Sequence, residues 1–302
     1  MKKTILLLGG LGFIGRNLIN ELKDEYNLVV FGRQAVQPSP AYTYFQGDIT
    51  KKDTVETVLN TYTIDLVIHA ISTTIPSSHD IMLDIDSNVK STIHLLDLLK
   101  QHGVPKIIFL SSGGTVYGLT DEHKLVTEEY PTYPISAHGI NKLAIEKYLY
   151  LYQYLHQLDY LIVRLSNPFG EYHISDKQGF INVTLKKIIN QEPITIWGDG
   201  EIVRDYIYIK DVANIIHTLI NKNIANQIIN VGSSQGHSLN ELLSIIREKT
   251  GDFEVKYTTA RQFDVPNIVL DTTKLQSFIN YQLTPLTEGI EHTYRWLKQT
   301  YV

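Results

Sequence analysis

The sequence predicts an α/β fold, a doubly wound parallel sheet with a smaller mixed lobe toward the C-terminus. Three observations predict it. Short apolar runs alternate with helical patterns up to about Arg164. These runs are apolar at nearly every position, as strands covered on both faces must be. A glycine-rich turn, "GGLGFIG", joins the first run to the first helical pattern.

Taken in order, "TILLLG" is the first strand and "IGRNLINELKDEY" the first helix. The strand "NLVVFG" follows, then a third strand before Asp48, a helix at "KKDTVETVLNTY" and the strand "DLVIHA". A helix through "VKSTIHLLDLLKQHG" is stopped by Gly103 and Pro105. Next come "KIIFLSS", a helix carrying His138 and Lys142, and "YLIVRLS". After Asn167 the pattern loosens through "NPFGEYHISDKQG". It resumes as a helix at "FINVTLKKIINQ", a short segment "PITIWGDGE", and the strand "QIINVG", which reads as returning to the main sheet. No repeat or linker divides the chain, so the two lobes are expected to interleave.

Composition narrows the function. A chain of 302 residues fits one two-lobed enzyme or two coupled domains. A net charge of -5, with no basic run interleaved with aromatics, argues against nucleic acid as a partner. With no cysteine there is neither disulfide nor thiol catalysis, which suits a reducing cytoplasm. The start, "MKKTILLLGG", has a signal peptide's charge and apolar run, but glycines interrupt the run and it reads better as a strand. No apolar stretch is long enough to span a bilayer. No residue is assigned to a metal.

Glycines at 9, 12 and 15 permit a tight turn, close approach of backbone to a pyrophosphate, and close packing of helix on strand. With Phe13 and Ile14 they open the first helix, whose N-terminus faces the anion. This is the dinucleotide-binding turn of a Rossmann sheet, and its place at the first strand-to-helix junction is what gives the pattern weight. NAD and NADP are told apart near the end of the second strand, where a carboxylate receives the ribose hydroxyls of NAD. Here the chain reads "VVFGRQ": Gly32 makes room and Arg33 can pair with a 2′-phosphate, which favours NADP. Asp48, with Ile49 beside it, is placed to meet the adenine edge.

In "PISAHGINKLAIEKYL" His138 and Lys142 stand four apart and share one helix face. In isolation two such residues are more often solvated. Read with "GGLGFIG", "LSSGGTVYG", "RLSNPFG", "IWGDGEIVRDYIYIKDVA" and "ARQFDVP", in that order along nearly the whole length, they resemble the extended short-chain dehydrogenase/reductase family, its nucleotide-sugar epimerases, dehydratases and reductases.

The resemblance implies a dinucleotide-binding domain over 1–166 plus roughly 205–232, and a nucleotide-sugar lobe over roughly 167–204 and 233–302. It implies that Lys142 binds cofactor ribose, that Asn167 helps hold the nucleotide sugar, and that Arg204 and Arg261 face its pyrophosphate, a task suited to a charged forked donor. Uridine and thymidine diphosphosugars both fit the resemblance. Two departures stand out. The family's Tyr, four before its Lys, is His138, and its frequent hydroxyl in the "SSGGTVYG" segment is Gly113, with Ser112 and Thr115 nearby to supply one.

Three readings follow: a reductase of 4-keto nucleotide sugars using NADPH, with imidazole as proton donor; a 4-epimerase with retained NAD; or a weakened enzyme that serves as a cofactor and sugar-nucleotide binding module. Apolar residues at helical spacing in "NVKSTIHLLDLLKQ" and "GINKLAIEKYLYLYQYL", among them Leu143, Leu151 and Leu155, are expected to pair two copies into a homodimer.

Overall fold

Strand follows helix from the first residues on, in a computed structural model that describes residues 2–35, 37–73, 80–121, 124–259 and 265–301. The first half runs β1 (Thr4–Leu8), α1 (Phe13–Leu22), β2 (Asn27–Gly32), β3 (Thr43–Gln46), α2 (Lys52–Thr61), β4 (Leu66–His69), α3 (Ile81–Asp84), a π-helical segment Ile85–Lys90, α4 (Ser91–Gln101), β5 (Lys106–Ser112), α5 (Ala137–His156) and β6 (Asp159–Leu165). The second half runs β7 (Asn167–Phe169), α6 (Phe180–Ile189), β8 (Ile194–Trp197), β9 (Val203–Tyr208), α7 (Ile209–Asn221), β10 (Gln227–Val231), β11 (Gly236–Ser238), α8 (Leu239–Thr250), β12 (Val255–Thr258), β13 (Asn267–Ile268), α9 (Thr273–Phe278) and α10 (Leu286–Tyr301).

Seven strands form one parallel sheet in the order β10-β6-β5-β4-β1-β2-β3. Side chains alternate across it, which explains why its strands read as unbroken apolar runs. In β1, Ile5 and Leu7 join the cluster under α1 and α7, while Leu6 and Leu8 join the one under α2, α4 and α5. The chain order reverses between β1 and β4, so a crevice opens at the carboxyl ends of these strands, where ligands bind in open α/β sheets. "QIINVG" runs as β10 beside β6 in this sheet, as read from the sequence. Beyond it, β9 pairs with β7, β11 and β13, and β8 pairs with β12. Among the described residues no helix is long and apolar enough to cross a membrane.

Three expectations are corrected. The first helix ends at Leu22 instead of reaching Tyr26, because Glu25 and Tyr26 both turn their amides back onto the Leu22 carbonyl before Asn27 enters β2. The helix expected from Val89 begins as regular α-helix only at Ser91. The preceding turn is π-wound, where the side chains of Ser87, Asn88, Ser91 and Thr92 each bond a carbonyl four residues back and compete with the helical ladder. Leu143 does not lie on the outer face of α5. It packs on an internal cluster of Val116, Tyr117, Val126, Val265, Ile268 and Leu270.

Candidate functional site

The glycine turn is built for close backbone approach. Gly9 has φ +80°, in the left-handed region, and a Cβ on Gly15 would stand 2.4 Å from the Gly9 carbonyl oxygen. Gly12 is the N-cap of α1, whose first turn has neither a capping side chain nor an acidic residue. The positive end of the helix therefore faces the crevice unneutralised. The Phe13 ring turns away from the crevice and stacks on His173, with centroids 4.4 Å apart, and Ile14 packs on the core. These two contribute helix-terminal backbone, not side chains.

Beside the turn lies a cleft of about 250 Å³ lined by Gly9, Gly12, Gly32, Arg33, Asp48, Ile49 and residues 70–73. Asp48 accepts from the backbone amide and hydroxyl of Thr50 through one oxygen (3.0 and 2.9 Å). These bonds, with lesser help from Arg33 and Lys51, hold its carboxyl below the usual range. Ile49 is buried and presents only an edge to the cleft. An uncapped helix N-terminus, a turn closed to any Cβ and a cleft of this make-up fit a dinucleotide.

A narrow cavity of about 10 Å³, near the room one water needs, adjoins that cleft through Ile71 and Ser72, and is lined further by Asn88, Thr92, His138, Asn141, Lys142 and Ile145. The helix that carries His138 starts where it does because the Ser136 hydroxyl accepts from the Gly139 amide (3.1 Å). Gly139 has no side chain because a Cβ there would lie 2.5 Å from the Thr115 carbonyl oxygen. The first turn of α5 thus rests on the loop after β5, with His138 half-buried in it.

One turn on, Lys142 is buried, donates to the Leu110 carbonyl (2.8 Å) and lies 4.7 Å from the centre of the Phe109 ring. Burial pulls its pKa down to about 8, against the opposing pull of Glu146. Glu146 is itself locked in a buried pair with Arg164 (2.7 Å) and accepts from Ser111.

On the other wall, His69 ends β4. Its Nδ1 accepts from the Ile71 amide (3.3 Å), so Nε2 carries the proton and donates to the Thr92 hydroxyl (3.0 Å), which donates to the Asn88 carbonyl. Burial, with Lys142 nearby, drops the His69 pKa to about 3, so this imidazole is neutral across the working range. In α5 and the loop it rests on, two of the buried polar atoms without a hydrogen-bond partner among the described residues are Thr115 Oγ1 and Asn141 Nδ2.

Gly113 stands where a side chain has no room: its Cβ would fall 2.6 Å from Leu270 Cδ1. Ser112 Oγ and Asn167 Oδ1 both face neighbouring Gly114, each 4.0 Å from where its Cβ would be, and Asn167 Nδ2 donates to the Asp205 carbonyl (2.9 Å). A third cleft, about 250 Å³, is lined by Asn167, Thr195, Trp197, Arg204, Tyr206 and Leu239 among others. Arg204 donates to the Val203 and Pro266 carbonyls, which hold it at this wall. Arg261 lies outside the described residues.

The structure thus brings Gly9, Gly12, Arg33, Asp48 and Ile49 into one cleft, His138 and Lys142 into the adjoining cavity, and Asn167 and Arg204 into a third. Sequence reasoning missed His69, Thr92, Asn88 and Asn141. His69 carried a signal, a polar residue at the carboxyl end of a central strand; Asn88 and Thr92 looked like the polar edge of a helix.

A family model described as "NAD dependent epimerase/dehydratase family" matches residues 5–232. A putative UDP-glucose 4-epimerase of Methanocaldococcus jannaschii is 34% identical, over 97% of this chain and 98% of that protein. A dTDP-4-dehydro-6-deoxyglucose reductase of Escherichia coli is 30% identical, over 96% of each. Among solved structures, the UDP-glucose 4-epimerase of Thermotoga maritima with UDP-glucose superposes with a TM-score of 0.93 at 27% identity, over 99% of this chain and 100% of that one.

Proposed function

This chain belongs to the NAD dependent epimerase/dehydratase family, and on that premise we propose that it is an oxidoreductase acting at the 4-position of a UDP- or dTDP-linked hexose, in the direction of 4-keto-sugar reduction. The observation that carries the reading is His138, half-buried on the cavity that Lys142 lines and four residues before it on the same helix face.

When bound, the nicotinamide supplies or accepts the hydride at the sugar carbon. Reduction of a carbonyl to an alcohol then needs one proton on oxygen. An imidazolium at His138 gives that proton, becomes neutral, and is recharged from solvent, to which it is part exposed. Lys142, held by the Leu110 carbonyl, takes the ribose-binding role that the resemblance assigns to it. Thr115 and Ser112 are the hydroxyls assigned, by resemblance, to hold the reacting oxygen in place of the one that Gly113 lacks; neither lines the cavity of His138 and Lys142, and the Thr115 hydroxyl is buried. Asn167 and Arg204 form the wall for the nucleotide diphosphate, with Arg261 assigned there by resemblance alone. The described clefts lie within one chain, and two chains are proposed to pair as a homodimer. The absence of cysteine suits a reducing cytoplasm.

A second reading, 4-epimerisation with retained NAD, is favoured by the likeness to the archaeal and bacterial epimerases. The test is to assay wild type, His138→Phe and His138→Tyr against UDP-glucose and against UDP- and dTDP-linked 4-keto sugars, with NADPH and NADH, across pH. Reduction with exchangeable NADPH is expected, with His138→Phe slowing it by roughly 10²–10⁴ while cofactor affinity holds. His138→Tyr should shift the pH profile, since phenol and imidazole titrate several units apart. Epimerisation with tightly retained NAD would establish the second reading. Cofactor and sugar-nucleotide binding without turnover would make the chain a binding module, and turnover indifferent to both substitutions would remove His138 from the chemistry.

A further inference from the structure

The loop after β2 is held in an unusual way. Its three consecutive carbonyls, at Gly32, Arg33 and Gln34, each accept one hydrogen bond, and all three donors come from β3 or the residue after it. The Gly47 amide donates to the Gly32 carbonyl (2.8 Å), Gln46 Nε2 to the Arg33 carbonyl (3.1 Å), and the Tyr44 hydroxyl to the Gln34 carbonyl (2.6 Å). The parallel register sets this up by placing Tyr44 beside Val30 and Gln46 beside Gly32. Gly32 leaves the path open, for a Cβ there would already come within 3.2 Å of the Tyr44 hydroxyl. Only the first of these bonds is ordinary backbone pairing continued past the strand. The other two depend on side chains that reach forward, and neither is needed to complete the sheet.

The backbone of residues 32–34 is thereby fixed with its carbonyls turned to β3, and the Arg33 side chain lines the cofactor cleft beside Asp48. Arg33 has no hydrogen bond or ion pair from its guanidinium to another described residue. We propose that Tyr44 and Gln46 are positioning residues for cofactor choice, clamping the Arg33 backbone so that its guanidinium meets the 2′-phosphate of NADP.

This rests on the reading that Arg33 selects NADPH. An arginine on a free loop loses conformational entropy when it engages a phosphate, whereas one whose backbone is already held loses less, so the clamp appears in affinity without touching the ligand. The guanidinium also offsets the Asp48 carboxylate in the same cleft, which would otherwise repel a dianionic phosphate. The phenol suits the task, since partial burial raises its pKa and keeps it a donor. NADH carries no 2′-phosphate, and its affinity should not depend on the clamp.

The test measures dissociation constants of NADPH and NADH by nicotinamide fluorescence, without substrate, for wild type, Arg33→Ala, Tyr44→Phe, Gln46→Leu and Gln46→Leu in the Arg33→Ala background. Wild type is expected to hold NADPH roughly tenfold or more tighter than NADH, and Arg33→Ala to abolish the difference. Tyr44→Phe and Gln46→Leu should each weaken NADPH by about three- to tenfold with NADH within about twofold. Gln46→Leu should add nothing once Arg33 is gone. If wild type binds NADH at least as tightly, the NADPH reading itself fails. If Arg33→Ala abolishes the preference while both clamp variants keep it, or if they weaken both cofactors alike, the clamp fails and the NADPH reading stands.

Discussion

At Gly113 one residue's identity is set by another far along the chain. The end of β5 is where relatives by resemblance carry a hydroxyl, yet here a Cβ would meet Leu270 at 2.6 Å and the Leu165 carbonyl oxygen at 3.2 Å. Leu270 is buried in the cluster that also takes Val116 and Tyr117. The absent hydroxyl and the leucine are two halves of one packing solution. Gly113→Ser is therefore expected to cost about 1–3 kcal/mol by overpacking. Leu270→Ala is expected to cost about 2–5 kcal/mol through its cavity. Together they should cost less than the sum by about 1–2 kcal/mol, because the serine enters the space the leucine leaves. Urea unfolding of the three variants measures this, and strict additivity would show that the two residues are not matched. The departure at Gly113 was legible, since it breaks a motif at a known offset. Its cause was not, because Leu270 comes from a segment without periodic pattern, and a contact at that separation leaves no local mark. His138 and Lys142 were legible by two signals together: helical spacing puts them on one face, and the resemblance along the rest of the chain marks that face as a site.

Among the elements, the inner strands of the main sheet could be read because burial on both faces writes itself as unbroken apolar runs, which the edge strand β3 lacks. Short β7 and β11, three residues each, could not, since their pairing is set by tertiary contact, and β9 was hidden because its buried run passes directly into α7 at Ile209. The same limit hid the clasp between α1 and α7. His217 on α7 has Nδ1 2.9 Å from Glu21, on the last turn of α1, and Nε2 3.0 Å from Glu25, in the turn that follows it. Two carboxylates, one at each nitrogen, require both nitrogens to donate, which only the imidazolium can do. Burial alone would lower the His217 pKa, but the hydrogen bonds and charges of Glu21 and Glu25 outweigh it and the net shift is upward. A histidine whose folded pKa lies above its unfolded value, about 6.5, binds its proton more tightly in the folded state. The stabilisation is then complete below about pH 6.5 and fades as pH rises through the folded value. His217→Leu should lower the melting temperature at pH 6 by on the order of 1–3 °C, a gap that closes on going to pH 9. A gap independent of pH would mean that packing, not charge, joins the two helices. Because α1 begins at the glycine turn, loosening this clasp should also be read in cofactor affinity.

For the whole molecule, the question is what covers the outer face of α5. Its inner face is spent on the sheet through Ile145, Leu149 and Tyr152. On the outside Tyr150, Leu151, Tyr154 and Leu155 remain exposed, two i,i+4 pairs side by side, and α3 adds Ile81, Met82 and Leu83, each more than half exposed. Scattered apolar residues need no explanation, but four exposed side chains in two adjacent i,i+4 pairs on one helix face form a patch that a second copy would cover. A helix face can be self-complementary about a two-fold axis, since each pair then meets its own copy antiparallel, and such an interface closes at two chains. The expectation from sequence named Leu143, Leu151 and Leu155; the last two lie on this face, and Leu143 is occupied inside the chain. Periodicity cannot separate the two faces of a helix that is apolar on both, which is why the third residue was misplaced. The proposed dimer should appear as twice the chain mass of 34.4 kDa by light scattering at micromolar protein. Leu151→Glu with Leu155→Glu should give a folded monomer, because two buried like charges per copy would face their mates across the axis. Its cofactor affinity should stay near wild type, as Lys142 lies toward the start of α5, about two turns before the substitutions, and the glycine turn belongs to α1. A monomeric wild type would sink the proposal outright. A double variant that stays dimeric would move the interface to another face.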